Sequence, residues 1–150
     1  MALPEERENG PQVDDLAAVR AEWLKQLFAL ASQVKVWAEK SHWRTRMVSR
    51  PTRDSVLGRF EVPLLLMERE GVEVALNPVS RFVPGAEGAV DLYVVPAYDV
   101  VVSLYLDNGE WSLHDVFSRA GAAGIHEAEA MPLSEATIIR VLDEMAGHAA

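Results

Sequence analysis

LYLDNGEWSL, residues 104–113, decides the fold of this chain because it carries the clearest local structural signal in the sequence. Asn108 and Gly109 both tolerate the positive φ angles that the central positions of a type I′ turn require, and a strand-like run lies on either side. The stretch therefore predicts a β-hairpin with a two-residue loop.

A two-residue turn also determines which residues lie opposite each other, because side chains alternate between the two faces of a strand. One face then pairs Leu106 with Trp111 and Leu104 with Leu113, and the other pairs Tyr105 with Ser112 and Ser103 with His114. We expect the first face to join the core and the second, half polar, to face solvent.

Working towards the N-terminus, further runs rich in β-branched and aromatic residues predict strands. About five strands are expected in all. Four are residues 57–70, 72–82, 89–95 and 99–106, and the fifth is the second arm of the hairpin. Pro63 and Pro78 cannot donate to a strand ladder, so we expect an edge, a bulge or a break at each of them.

A helix is predicted at each end of this β region. Over residues 14–40 apolar side chains recur every three or four positions, and Asp14 or Asp15 is placed to accept hydrogen bonds at the helix start. Near the C-terminus Ser134 is the expected N-cap of a second helix, which Gly147 would end. Between hairpin and second helix, residues 118–131 predict a flexible connection.

This order of elements predicts the α+β class: a long N-terminal helix, an antiparallel meander sheet and a C-terminal helix, with both helices on one face. The 150 residues suit one domain, which we expect to span residues 13–150 after a flexible acidic tail at 1–12.

The net charge, the lack of cysteine and the absence of long apolar stretches argue against several classes of function. The formal net charge is −9, which disfavours nonspecific binding to nucleic acid or anionic membranes by the whole molecule. No cysteine is present, which fits a reducing cytoplasmic location. No apolar stretch has the roughly 20 residues of a spanning helix, so we expect no membrane partner, and no cofactor fingerprint or metal ligand spacing is found.

Positive charge is concentrated in residues 35–59, where seven Lys and Arg face two acids. One interpretation is a surface for phosphates or an acidic partner, with Trp43 stacking on a base. The other is a solvated connection whose arginines pair with acids elsewhere. The candidate binding residues, with two from the half-polar hairpin face, are Trp43, Arg44, Arg46, Arg50, Arg53, Arg59, Tyr105 and His114.

Catalytic interpretations are less well founded. Ser103, His114 and Asp99 share a face, but neither a nucleophile elbow nor oxyanion-hole donors accompany them. Asp91, with Glu61, Glu73 or Asp99 as a companion, could hold a metal for phosphodiester hydrolysis, although no lysine follows Lys40.

Two function hypotheses remain. The first is a cytoplasmic binding or accessory protein that engages a protein partner or a second copy, or nucleic acid through residues 40–59. The alternative is a metal-dependent, nuclease-like hydrolase that uses carboxylates on the sheet.

Overall fold

The computed structural model of the protein describes residues 13–96, 99–114 and 130–149. Its elements are α1 (Val13–Lys40), β1 (Arg44–Asp54), β2 (Gly58–Arg69), β3 (Val72–Ser80), β4 (Gly88–Val95), β5 (Asp99–Asp107), β6 (Glu110–His114), β7 (Ala130–Pro132) and α2 (Glu135–Ala149). The predicted tail at 1–12 and most of the predicted connection at 118–131 lie outside the described residues.

The strands form one antiparallel sheet whose spatial order, β1 to β7, is the order along the chain. The α+β class and the meander are thereby confirmed, but the prediction of about five strands was too low. β1 and β7 were missed for different reasons. β1 is an edge strand rich in arginine, without a continuous apolar face, and β7 has only three residues.

The hairpin at residues 104–113 has the predicted register, with Leu106 opposite Trp111 and Ser103 opposite His114. Asn108 and Gly109 have φ angles of 53° and 76°, as a type I′ turn requires. The local signal was sufficient here because turn chemistry and side-chain alternation both act over a few residues.

Both helices pack on one face of the sheet and enclose the core. Each contributes the apolar stripe that its spacing predicts. The fully buried side chains include Leu27 and Val34 of α1, Ile138 and Leu142 of α2, and Leu65, Leu92 and Leu104 of the strands. Because strand side chains alternate, residues such as Tyr93 and Tyr105 point to the opposite face, which we call the open face.

The helix ends differ from expectation in two ways. The first is that α2 continues past Gly147, its predicted end, to Ala149, because Gly147 does not take the positive φ of a glycine that ends a helix. Ser134 is the N-cap of α2, since its Oγ accepts a hydrogen bond from the Thr137 N–H at 3.2 Å. α1 begins at Val13, so Asp14 and Asp15 lie in its first turn instead of at its cap. The negative charge of Asp15 still interacts favourably with the positive end of the helix dipole.

β1 and β2 extend beyond the rest of the sheet. β1 and β2 pair with each other along their whole length. β2 pairs with β3 only at residues 65–69. The outer half is thus a two-stranded ribbon, which twists more strongly than a wide sheet. Pro63 lies in this ribbon, and the predicted irregularity at Pro78 is a register shift between Pro78 and Ser80.

Candidate binding surface on the β1–β2 hairpin

The basic segment of the sequence forms the edge strand β1 and, with β2, a hairpin. This basic hairpin, residues 44–69, contains six arginines and three acids in a chain of net charge −9. Arginine and proline on an edge strand hinder pairing with another sheet. Part of the charge therefore has a structural explanation, and only arginines not engaged within the fold remain for a ligand.

Three of the six arginines are engaged. Arg44 donates from Nε to Glu68 Oε1 at 2.9 Å, and Arg69 pairs with Asp143 of α2 at 3.0 Å. Arg50 donates to Asn77 Oδ1 at 2.8 Å and to the carbonyl oxygen of Pro78 at 2.9 Å. Arg50 and Arg69 thus tie the hairpin to β3 and to the C-terminal helix, and Arg44 links the two strands of the hairpin.

The other three, Arg46, Arg53 and Arg59, are exposed and have no hydrogen-bond or ion-pair partner among the residues that the structure describes. They carry the available positive charge of the basic hairpin. Because a guanidinium group presents a planar fork of donors, each suits a carboxylate or phosphate ligand.

Arg53 and Arg59 lie directly opposite each other in the register of β1 and β2. They line a surface depression of about 470 Å³ together with Pro51, Thr52, Phe60 and Glu61. Two like charges face each other at this point, and an anion placed between them would be attracted by both.

Trp43 occupies a different position from that expected of a stacking residue. It is 2% exposed, belongs to the core, and its ring is covered by the Arg69 guanidinium, whose Cζ lies 4.7 Å from the ring centroid. The indole is therefore not available to an incoming base. Sequence alone could not separate the two roles, because a tryptophan after a helix end fits either.

Tyr105 and His114 contact each other on the open face, away from the basic hairpin. Their rings pack edge to face with centroids 4.7 Å apart. At roughly 4.8 Å per strand spacing, Tyr105 on β5 lies about 14 Å from β2 and about 19 Å from β1, the two strands of the basic hairpin. The sequence-predicted binding residues consequently fall into two groups.

A hydrogen-bonded chain runs from the hairpin towards the middle of the open face. Arg50 donates to Asn77, whose Nδ2 donates to the Tyr93 hydroxyl at 3.0 Å. Ser103 Oγ donates to Asp91 Oδ1 at 3.3 Å on the neighbouring strands. Sequence reasoning did not identify Asn77, although its polar side chain between Leu76 and Pro78 was a usable signal.

The carboxylates considered for metal-assisted hydrolysis do not form a compact set. Glu73 and Asp91 share the open face, but Asp91 is four residues along β4 from Val95, the residue opposite Glu73. At about 3.3 Å per residue, they lie roughly 13 Å apart. In the described part of the chain no three His, Asp or Glu side chains converge as metal ligands would. The side chain of Asp99 lies outside the described residues.

Two carboxyl groups beside the basic hairpin have a lowered pKa. For Glu68 the cause is the hydrogen bond from Arg44, with a further one from the Gly71 N–H at 3.1 Å. The pKa of Glu39 is lowered by hydrogen bonds from Lys35 and then Thr45. Glu68 therefore favours its ionised form and pairs with Arg44, which leaves the free positive charge on Arg46, Arg53 and Arg59.

No protein-family model matches this chain, and searches of curated proteins and of solved structures gave no significant match. No helix within the described ranges is long and apolar enough to cross a membrane. The geometry and charge of the basic hairpin are therefore the basis for assigning a function.

Proposed function

We propose that this protein is a cytoplasmic, non-enzymatic binding module that holds an acidic polypeptide partner on the basic hairpin. The observation that supports it is the exposure of Arg46, Arg53 and Arg59 without a partner among the described residues. In an otherwise acidic protein, this surface attracts an acidic partner while the rest of the molecule repels it.

A polypeptide is favoured over nucleic acid by the position of Trp43. Proteins that bind single strands combine a basic groove with aromatic rings on which bases stack. The indole of Trp43 is covered by Arg69 instead, and Tyr105 is about 19 Å from β1 at roughly 4.8 Å per strand. The basic hairpin thus offers charge without a stacking surface.

The alternative, a metal-dependent phosphodiester hydrolase, has less support. Its carboxylates Glu73 and Asp91 are about 13 Å apart by strand geometry. A hydrolytic metal site needs its ligands around one ion, within about 2–2.5 Å.

The test is affinity capture from the cells that make the protein, at low and then moderate salt. We expect an acidic partner in stoichiometric amount that is lost as salt rises, because exposed charges are screened. Capture should also fail for the triple variant Arg46→Gln, Arg53→Gln, Arg59→Gln. Lys25→Gln, which removes an exposed charge from α1, is the control and should retain the partner.

A partner that the triple variant retains would contradict the proposal, as would nucleic acid in place of protein. Recovery of a second copy of the chain, with the same dependence on the three arginines, would identify the acidic polypeptide as the protein itself.

A further inference from the structure

Two like charges, those of Arg53 and Arg59, lie opposite each other in the basic hairpin and repel each other. Arg53 is opposite Arg59, and side chains directly opposite in an antiparallel pair have Cβ atoms about 4.5–5.5 Å apart. Both are exposed, and neither has a carboxylate partner in the described part of the chain. Like charges placed this way destabilise a strand pair, so a bound anion would remove an existing cost.

The backbone around this pair is held in place. Asp54 Oδ1 accepts hydrogen bonds from the N–H groups of Val56 and Leu57 at 2.7 and 2.9 Å. Arg20 of α1 donates to the carbonyl oxygen of Leu57 at 2.9 Å. The turn that joins the two strands is therefore anchored to the helix, and the two arginines start from a fixed separation between their backbones.

The acids near the two arginines offer limited competition for them. Thr52 lines the same depression as the two arginines. Glu61 lines it too, but its carboxylate accepts a hydrogen bond from Ser49. Both carboxylate oxygens of Asp54 accept hydrogen bonds as well. Oδ1 accepts from the Val56 N–H within the hairpin, and Oδ2 accepts from Ser80 Oγ of β3 at 3.5 Å. Nearby acids are thus partly occupied by other donors.

We propose that Arg53 and Arg59 form a subsite for a phosphate monoester, supplied by a phosphorylated side chain of the polypeptide partner. This inference rests on the proposed function and names the chemistry of its ligand. Two guanidinium groups match the charge of a phosphate monoester, which is close to −2 at neutral pH, and can donate to its oxygens in parallel pairs. A phosphodiester carries a single charge and would leave part of the repulsion in place.

The first experiment measures stability in the presence and absence of inorganic phosphate, at constant ionic strength. Without phosphate, Arg53→Gln or Arg59→Gln should raise the thermal midpoint by up to about 4 °C, because the repulsion is removed. With phosphate, the midpoint of the unaltered protein should rise, and that of either variant should not. Arg46→Gln is the control, since Arg46 lies opposite Leu66 and its loss relieves no repulsion.

The second experiment identifies the source of the phosphate. A short glycine-serine peptide with one phosphoserine is titrated into isotope-labelled protein beside its unphosphorylated form, inorganic phosphate, and an oligothymidylate with free hydroxyl ends. We expect shifts confined to residues 51–61 with the phosphopeptide and with phosphate, but not with the unphosphorylated peptide. If the phosphopeptide binds more tightly than inorganic phosphate, the phosphate group comes from a polypeptide. If the two bind equally, free phosphate is the ligand. Either result supports a phosphate subsite at Arg53 and Arg59.

Two results would overturn the subsite. One is a phosphate response that persists in Arg53→Gln and Arg59→Gln. The other is an oligothymidylate that binds more tightly than the phosphopeptide through the same arginines. Failure of the subsite remains distinct from failure of the proposed function, because an unphosphorylated acidic partner captured through all three arginines would still support the latter.

Discussion

Gly88 lies directly against the indole ring of Trp23. A Cβ atom at Gly88 would be 2.5 Å from Cζ3 and 2.6 Å from Cη2 of that ring. Trp23 is 2% exposed and also contacts Trp111, their ring centroids being 6.2 Å apart. The start of β4 therefore has no room for a side chain, and the position of α1 on the sheet depends on this glycine.

Gly88→Ala should lower the free energy of unfolding by about 1–3 kcal/mol, because the methyl group must displace a buried ring. Urea denaturation measures the change. Gly147→Ala is the matched control, since nothing lies within 4 Å of the place that its methyl group would take on α2 and alanine favours a helix. Equal stability of the two variants would show that Trp23 can move at little cost.

Trp43 should behave as a core residue. Trp43→Ala should cost about 3–5 kcal/mol of unfolding free energy. Trp43→Phe should cost less, because the buried Nε1 has no acceptor among the described residues and no hydrogen bond is lost. Denaturant titration gives both values, and affinity capture gives the binding readout. Loss of the partner in a stable Trp43→Phe variant would restore a direct binding role for this ring.

The N-cap of α2 gives a local test of the C-terminal region. Ser134→Ala removes the acceptor for the Thr137 N–H, and we expect a loss of about 1 kcal/mol. Ser32→Ala on the exposed side of α1 is the control and should be neutral or slightly stabilising, since alanine is the better helix former. Thermal or urea unfolding distinguishes the two outcomes, and a neutral Ser134→Ala would contradict the cap.

The lowered pKa of Glu68 makes one contribution to stability depend on pH. Its folded pKa lies below the ordinary value of 4.5 because Arg44 and the Gly71 N–H bind the ionised form. The contribution is therefore fully present above about pH 4.5 and is lost as the pH falls through the folded pKa.

Carboxyl titration followed by NMR tests this assignment. In Arg44→Gln the pKa of Glu68 should rise, because both the hydrogen bond and the charge of Arg44, which lower it, are gone. Glu68→Gln should lose less stability than the unaltered protein as the pH falls below 4.5. An unchanged Glu68 titration in Arg44→Gln would show that the ion pair does not form in solution.

Sequence reasoning succeeded where the physical cause is local. Turn chemistry at Asn108 and Gly109, apolar spacing in α1 and the hydroxyl of Ser134 each act within a few residues, and the structure has the hairpin register, the helix and the cap they indicate. Strand β1 was missed because an edge strand buries little of either face, so its sequence need not alternate. β7 was too short to produce a pattern.

The candidate site was predictable only as a region. The sequence by itself determined that positive charge collects between the first helix and the sheet, and that two helices frame an antiparallel meander. Only the tertiary structure decided which arginines are free: Arg50 meets Asn77, and Arg69 covers Trp43, whereas Arg53 faces Arg59. Those partners come from distant strands and helices, and the pairing of side chains across a sheet depends on register, which composition does not contain.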